Sequence, residues 1–289
     1  MSNTIELAKS FVPKLDECYR LASLTSVLDG APELAKQGAN ANELIIPMMS
    51  MDGLADYSRN GGYVQGGVTM TNETVKCNFD RGRRFDVDVM DDLETAGLAF
   101  GRLSAQFIRD KVVPELDAFR FASYCGISGV TKKEETLADG AATVTALSAA
   151  VTAMDDEEVT ATGRYLFITP TLLQGINDMD TTKSKKVLEG FEQVIKVPQR
   201  RFYTAIKQLS GKTGEEAGGY TKATGAANIN FAIVQKDALI QYTKHAAPKI
   251  IAPENNPDAD AYVFGYRMVG IAKAYKNMLS GMYFSHDKA

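Results

Sequence analysis

Residues 91–125 read DDLETAGLAFGRLSAQFIRDKVVPELDAFRFASYC, and the segments on either side carry too little regular apolar pattern to fold without this stretch. Asp91 or Asp92 can cap a helix, and Glu94 adds negative charge to the first turn, where the helix dipole favours it. Leu93, Ala96, Phe100, Leu103 and Phe107 recur at steps of three and four, which is one helical face. Ile108, Val112, Leu116 and Phe119 continue at helical spacing on a rotated face, and the change coincides with Asp110 and Pro114. Pro114 cannot donate to the Asp110 carbonyl and clashes with that turn. The stretch predicts a single kinked helix, roughly 50 Å long at about 1.5 Å per residue. The alternative is two helices broken at Pro114.

Around this helix the chain predicts an α+β protein. Residues 1–42 hold a break at Pro13 and then Pro32, Gly38 and small polar residues, too little apolar material for a core of their own. Such an arm must lie against something else, its own chain or a neighbour. Leu44–Met51 suits a strand, and Asp52–Gly67, with Gly53, Gly61, Gly62, Gly66 and Gly67, reads as a mobile hairpin tip. Val68–Phe79 returns as a strand, Asp80-Arg81-Gly82 reads as a turn, and Arg83–Met90 alternates Phe85, Val87 and Val89 against Arg84, Asp86 and Asp88. Gly126–Gly140 is a charged connector. A helix capped by Asp139 or Thr143 follows, with Val144, Leu147, Val151 and Met154 on one face, ended by the acidic run Asp155–Glu158.

Arg164–Thr169 has the pattern of a buried strand, and Thr169-Pro170 opens a helix. Lys183–Lys186 reads as a solvated loop, Phe202–Leu209 as a strand, and Ser210–Asn228 as a flexible excursion. Asn230–Val234 reads as a strand, Lys236–His245 as a helix, and Lys249–Ala252, Asp260–Ala274 and Gly281–Ser285 as extended.

Composition narrows the function. A chain of 289 residues with 45% hydrophobic content can bury a real core, and 32 basic against 36 acidic side chains, a net −4, argues against a dedicated nucleic-acid binder. Cys18, Cys77 and Cys125 are odd in number and share no CxxC spacing, so they read as reduced intracellular thiols. The N-terminal residues lack the pattern of a signal peptide, and no apolar run approaches the roughly 18 residues that cross a bilayer.

Candidate chemistry fails residue by residue. Gly211-Lys212-Thr213 resembles the end of a P-loop, but Ile206 stands where that motif needs glycine. His245 and His286 are far apart and share no metal-ligand spacing, and there is no GxSxG elbow. The consecutive acids Asp155–Glu158 cannot share one helix face. No catalytic, cofactor or metal residue is predicted.

The order of several segments resembles the major capsid proteins of tailed double-stranded-DNA phages. These are Ala8–Asp16 of the arm, Ile46–Gly67 with Asp52-Gly53-Leu54 and Asp56-Tyr57, Asp80-Arg81-Gly82-Arg83 leading into Ala99–Leu103 and Val112–Asp117, the junction Leu166–Pro170, and the block 230–283. That family shares its fold, the Johnson fold, with encapsulin shells and the floor of herpesvirus capsids. The resemblance implies an N-terminal arm (1–42), an extended β-hairpin loop (43–79), a peripheral domain with a spine helix (80–129), an axial domain (130–250) and a return to the peripheral domain (251–289). It implies that arm and loop reach neighbouring subunits, with Phe11, Leu15, Tyr57, Arg59 and Tyr63 as intersubunit contacts. It implies an icosahedral head shell of hexamers and pentamers, a portal protein, packaged DNA on the inner face without specific binding, no membrane, and assembly in the host bacterial cytoplasm before residence in the virion. An encapsulin-like compartment is the alternative.

Two departures from the family matter. The arm begins almost at Met1, so a separate scaffolding protein is expected. The tip 52–67 holds no lysine, so no covalent cross-link through it is expected.

Overall fold

The computed structural model describes residues 23–30, 36–37, 43–89 and 105–288. Its strands are β1 (Lys36–Gln37), β2 (Glu43–Met51), β3 (Val68–Lys76), β4 (Phe79–Asp88), β5 (Thr131–Glu134), β6 (Arg164–Ile168), β7 (Gln193–Lys196), β8 (Ile206–Gln208), β9 (Tyr220–Lys222), β10 (Ile229–Gln235), β11 (Leu239–Ile251), β12 (Ala261–Ala274) and β13 (Met282–His286). Its α-helices are α1 (Val113–Gly126), α2 (Gly140–Asp156), α3 (Pro170–Asp178) and α4 (Thr182–Glu189). The strands form a five-stranded sheet ordered β5-β13-β10-β6-β7, a long sheet β11-β12-β4, a ribbon β1-β2-β3 and a small hairpin β8-β9.

The central strands of the five-stranded sheet are buried on both faces, while its edge strand β5 is exposed. β6 and β10 have no exposed residue, so they read as continuous apolar runs and not as alternating ones. Tyr165 and Phe167 pack on one side with Ala232, Val234 and Phe284, while Leu166 and Ile168 pack on the other with Phe231, Ile233 and the α2–α3 layer. The last strand, β13, pairs with β10 and β5 here, although the preceding strand β12 pairs with β4 and β11.

α1 joins the two large sheets. Phe121 and Cys125 meet Phe167 and Phe284 of one, together with Phe202 from a loop, while Val113 and Leu116 meet Phe264, Tyr266 and Met268 of the other. Phe121 sits edge-on to Phe167 at 5.1 Å and to Phe202 at 4.8 Å. Burial pushes the Cys125 thiol up to about 11, so at neutral pH it packs as a small apolar group.

The predicted long helix is continuous from Ala105 to Gly126, and its part at 91–104 lies outside the described residues. Ahead of Pro114 it widens instead of breaking. Ile108–Val112 is a π turn in which the Val113 N–H reaches the Ile108 carbonyl, five residues back. One extra residue rotates the following face by about 100°. The rotated apolar pattern in the sequence is this insertion.

A buried polar network on α1 fixes the segment 23–30. Asp117, fully buried, accepts from the Ser23 and Thr25 hydroxyls (2.9 and 2.7 Å), the Leu24 and Thr25 N–H groups (3.1 and 3.3 Å) and Arg201 (3.1 Å). One turn on, Arg120 donates to Thr25 Oγ1 (2.8 Å) and Asp29 (3.0 Å). Gln241 of β11 donates to the Thr25 carbonyl (2.6 Å) and Asp29 (2.8 Å) and accepts from the Tyr124 hydroxyl (2.6 Å).

Several sequence expectations are corrected. Asp80-Arg81-Gly82 is no turn: it lies within β4, opposite Val269, Met268 and Arg267. Arg267 grips both Asp80 oxygens (2.9 and 2.6 Å), and a Cβ on Gly82 would come 2.8 Å from the Tyr266 carbonyl. The break falls at Cys77-Asn78, where the Asn78 amide bonds both backbone groups of Ala272.

Lys236–His245 is not a helix. A single 3-10 turn, capped by the Gln235 side chain, leads into β11, and pairing along β12 overrides the local propensity. His245 is an exposed strand residue. Lys183–Lys186 lies in α4, opened by a Thr181/Ser184 capping box. The connector 126–140 contains β5, and of Phe202–Leu209 only β8 is strand. The excursion 210–228 folds back as β9, clamped by Arg81 on the Leu209 carbonyl (2.8 Å) and Arg83 on that of Glu216 (2.8 Å).

Two stability tests follow from this packing. A Cβ on Gly140 would sit 2.1 Å from the Gly175 carbonyl, whereas one on Gly190 meets nothing nearer than 4.0 Å. Gly140→Ala is expected to lower stability by ~1–3 kcal/mol and Gly190→Ala to leave it unchanged or slightly raised, read from urea midpoints. Asp117→Ala leaves buried donors and Arg201 unpaired and is expected to cost ~3–5 kcal/mol. Hydrogen exchange should then rise first at 23–30.

Candidate assembly surface

The ribbon is antiparallel, with Glu43 opposite Lys76 at its root and Met51 opposite Val68 at its far end. β2 and β3, nine residues each, carry it roughly 30 Å as a two-stranded ribbon beyond the short β1. At the root Val75 packs with Ile240 and Ile271 against the long sheet. Beyond it no described side chain of the ribbon is buried.

Its two faces differ in chemistry. Side chains directly opposite each other in an antiparallel pair share a face, and residues two apart share it too. Met49 lies opposite Met70 and Met51 opposite Val68, so all four project together, each 55% to 68% exposed. Ser50, Thr69 and Thr71 occupy the other face at the same height, with Met48 opposite Thr71. An apolar face left in water on a two-stranded ribbon is an energetic debit that a partner surface removes.

The tip is closed at its neck by Asp52, whose carboxylate accepts from the Gly67 N–H (2.7 Å) and whose N–H donates to the Gly67 carbonyl (3.1 Å). A tight turn, Ser58–Gly62, then reverses the chain. Gly62 adopts φ +74°, which favours glycine, and donates to the Ser58 carbonyl at 2.8 Å. The turn brings the Tyr57 and Tyr63 rings to 4.9 Å on its surface, Tyr63 being 91% exposed, with Arg59 also exposed.

Three of the five sequence-derived contact residues, Tyr57, Arg59 and Tyr63, thus share the tip; Phe11 and Leu15 lie outside the described residues. The four-residue patch Met49, Met51, Val68 and Met70 escaped the sequence reading. Its signal was there in Val68-Thr69-Met70-Thr71, a period-two alternation facing Met49-Ser50-Met51.

Among the described residues no group of three or more His, Cys, Asp and Glu could hold a metal, and no described helix is long and apolar enough to cross a membrane.

No family model matches the chain, and comparison with curated proteins gives no match. Solved structures do match over nearly full length. The virus-like particle from Pyrococcus furiosus aligns at TM-score 0.60 and 10% identity, covering 96% of this chain and 98% of that one. The capsid of Cyanophage P-SCSP1u aligns at 0.54 and 13%, covering 87% and 85%. The mature capsid of bacteriophage PhiM1 aligns at 0.52 and 8%, covering 85% and 82%. At such identities the likeness is one of architecture: this mixed helix-and-strand chain has the fold from which phage capsids and the Pyrococcus furiosus particle are built.

Proposed function

We propose that the chain is the major capsid protein of a tailed double-stranded-DNA phage and that copies of it assemble into an icosahedral head shell. The observation that carries this reading is the bare ribbon. Among the described residues nine large hydrophobic side chains are exposed, and eight of them fall between Met49 and Met70. A neighbouring copy supplies the missing core. Burying three methionines and a valine stabilises each such contact by ~1.5–3 kcal/mol per side chain before ordering costs. A closed shell repeats the contact many times, so each can be modest.

In this reading the unit of β4, α1, β11 and β12 is the peripheral domain. The five-stranded sheet with α2–α4 is the axial domain, and residues 43–79 are the extended loop. Phe11, Leu15, Tyr57, Arg59 and Tyr63 contact neighbours, within hexamers and pentamers. A separate scaffolding protein and a portal complete the head. DNA lies on the inner face without specific binding, in keeping with the net charge of −4. The protein is structural and not an enzyme, it is assembled in the host cytoplasm, and its place is the virion. The likeness to the Pyrococcus furiosus particle supports the second reading, an encapsulin-like compartment. Portal and terminase genes beside the coding sequence, against a cargo enzyme, separate the two.

Two experiments test the assembly reading. The double variant Met51→Asp, Val68→Asp is expected to keep the wild-type Tm and far-UV spectrum while forming no shells in negative-stain micrographs. Shells at wild-type yield overturn the ribbon contact. Denatured particles are expected to give a single chain mass near 31.4 kDa, and a covalent ladder overturns the absence of cross-links.

A further inference from the structure

We propose that Met49, Met51 and Met70 form an oxidation-sensitive site that controls whether subunits assemble. This rests on the reading that a second copy covers the apolar ribbon face. Three thioethers share that face, two of them directly opposite one another, and each is more than half exposed in the single chain. On the other side of the ribbon Ser50, Thr69 and Thr71 carry nothing that peroxide attacks, and the single thioether in register with them is that of Met48, opposite Thr71. Met154, Met268 and Met282 are enclosed in the cores, and Met278 is exposed at a turn outside the ribbon strands. The molecule therefore holds its own protected and unprotected references.

The chemistry is a two-electron oxygen transfer from a peroxide. The sulfur lone pair attacks one peroxide oxygen, the O–O bond breaks, an S–O bond forms, and the second oxygen leaves as water with both protons. Each thioether becomes a sulfoxide, and hydrogen peroxide is reduced to water. The change replaces a polarizable apolar group by a strong dipolar acceptor. A face that must be stripped of water for assembly then carries strong acceptors whose desolvation costs free energy. The ribbon backbone is untouched, and Val75 still holds the root. Reduction of the sulfoxides restores the face.

The test uses the full-length chain. Free subunits are treated with dilute hydrogen peroxide, mapped by peptide mass spectrometry, and then followed for assembly by light scattering and electron microscopy. Met49, Met51 and Met70 are expected to oxidise at rates near that of Met278, with Met154, Met268 and Met282 spared. The oxidised subunits should need at least about a tenfold higher concentration to assemble. Methionine sulfoxide reductases should reverse the effect. The triple variant Met49→Leu, Met51→Leu, Met70→Leu should assemble like wild type and ignore peroxide.

Oxidised subunits that assemble at the untreated threshold overturn the switch, as does a triple variant that stays peroxide-sensitive. Shells in which these methionines react as fast as Met278 show that this face is not covered, which overturns the inference while leaving the shell intact. Untreated subunits that never form particles overturn the container reading, and the switch falls with it.

Discussion

One short helix carries the constraint on which the molecule depends. Between Val113 and Cys125 it presents Val113 and Leu116 to the long sheet and Phe121 and Cys125 to the five-stranded sheet, so each sheet's position is defined through it. The same helix buries Asp117 and Arg120 beside these apolar faces. Buried charges are tolerated only when their hydrogen bonds are complete, and completion here requires Ser23, Thr25, Asp29 and Arg201 together. The root of the N-terminal segment is thereby held against the helix as firmly as the sheets are. The π turn at Ile108–Val112 serves the same end, since it swings the face that meets Phe264 and Met268 into line ahead of Pro114.

The ribbon obeys the opposite logic. Its root is closed by Val75 on Ile240 and Ile271, and at its far end the side chains of Met49, Met51, Val68 and Met70 stand in water. A two-stranded ribbon with one apolar face has no stability to spare by itself. It persists in the chain because its root is fixed and its strands are in register. In the proposed shell a second copy covers Met49, Met51, Val68 and Met70. The structural likeness to phage capsids and to the Pyrococcus furiosus particle is one of fold.

Much of this was readable in the residues. The five consecutive buried residues of Arg164–Ile168, the Asp139 cap and the glycine-bearing tip 52–67 each announced their element, because the signal is local. Where partners distant in sequence decide, the reading failed. Lys236–His245 has a helical pattern yet lies along β12, and Asp80-Arg81-Gly82 has turn chemistry yet is straightened by Arg267, 187 residues away in the chain. The methionine face was missed for a related reason. A strand's two faces acquire meaning only once it is known which one the rest of the chain leaves uncovered.

The sequence by itself determined the α+β class, the helix around Pro114, the coreless ribbon with its glycine tip, and the resemblance to capsid subunits. These follow from periodicity and from the order of short segments. Only the tertiary structure decided that β13 enters the five-stranded sheet while β12 stays with β4, that Asp117 locks residues 23–30, and that one ribbon face is apolar and bare. Those facts depend on pairings and burial between residues far apart in the chain. Local propensity carries no information about such contacts.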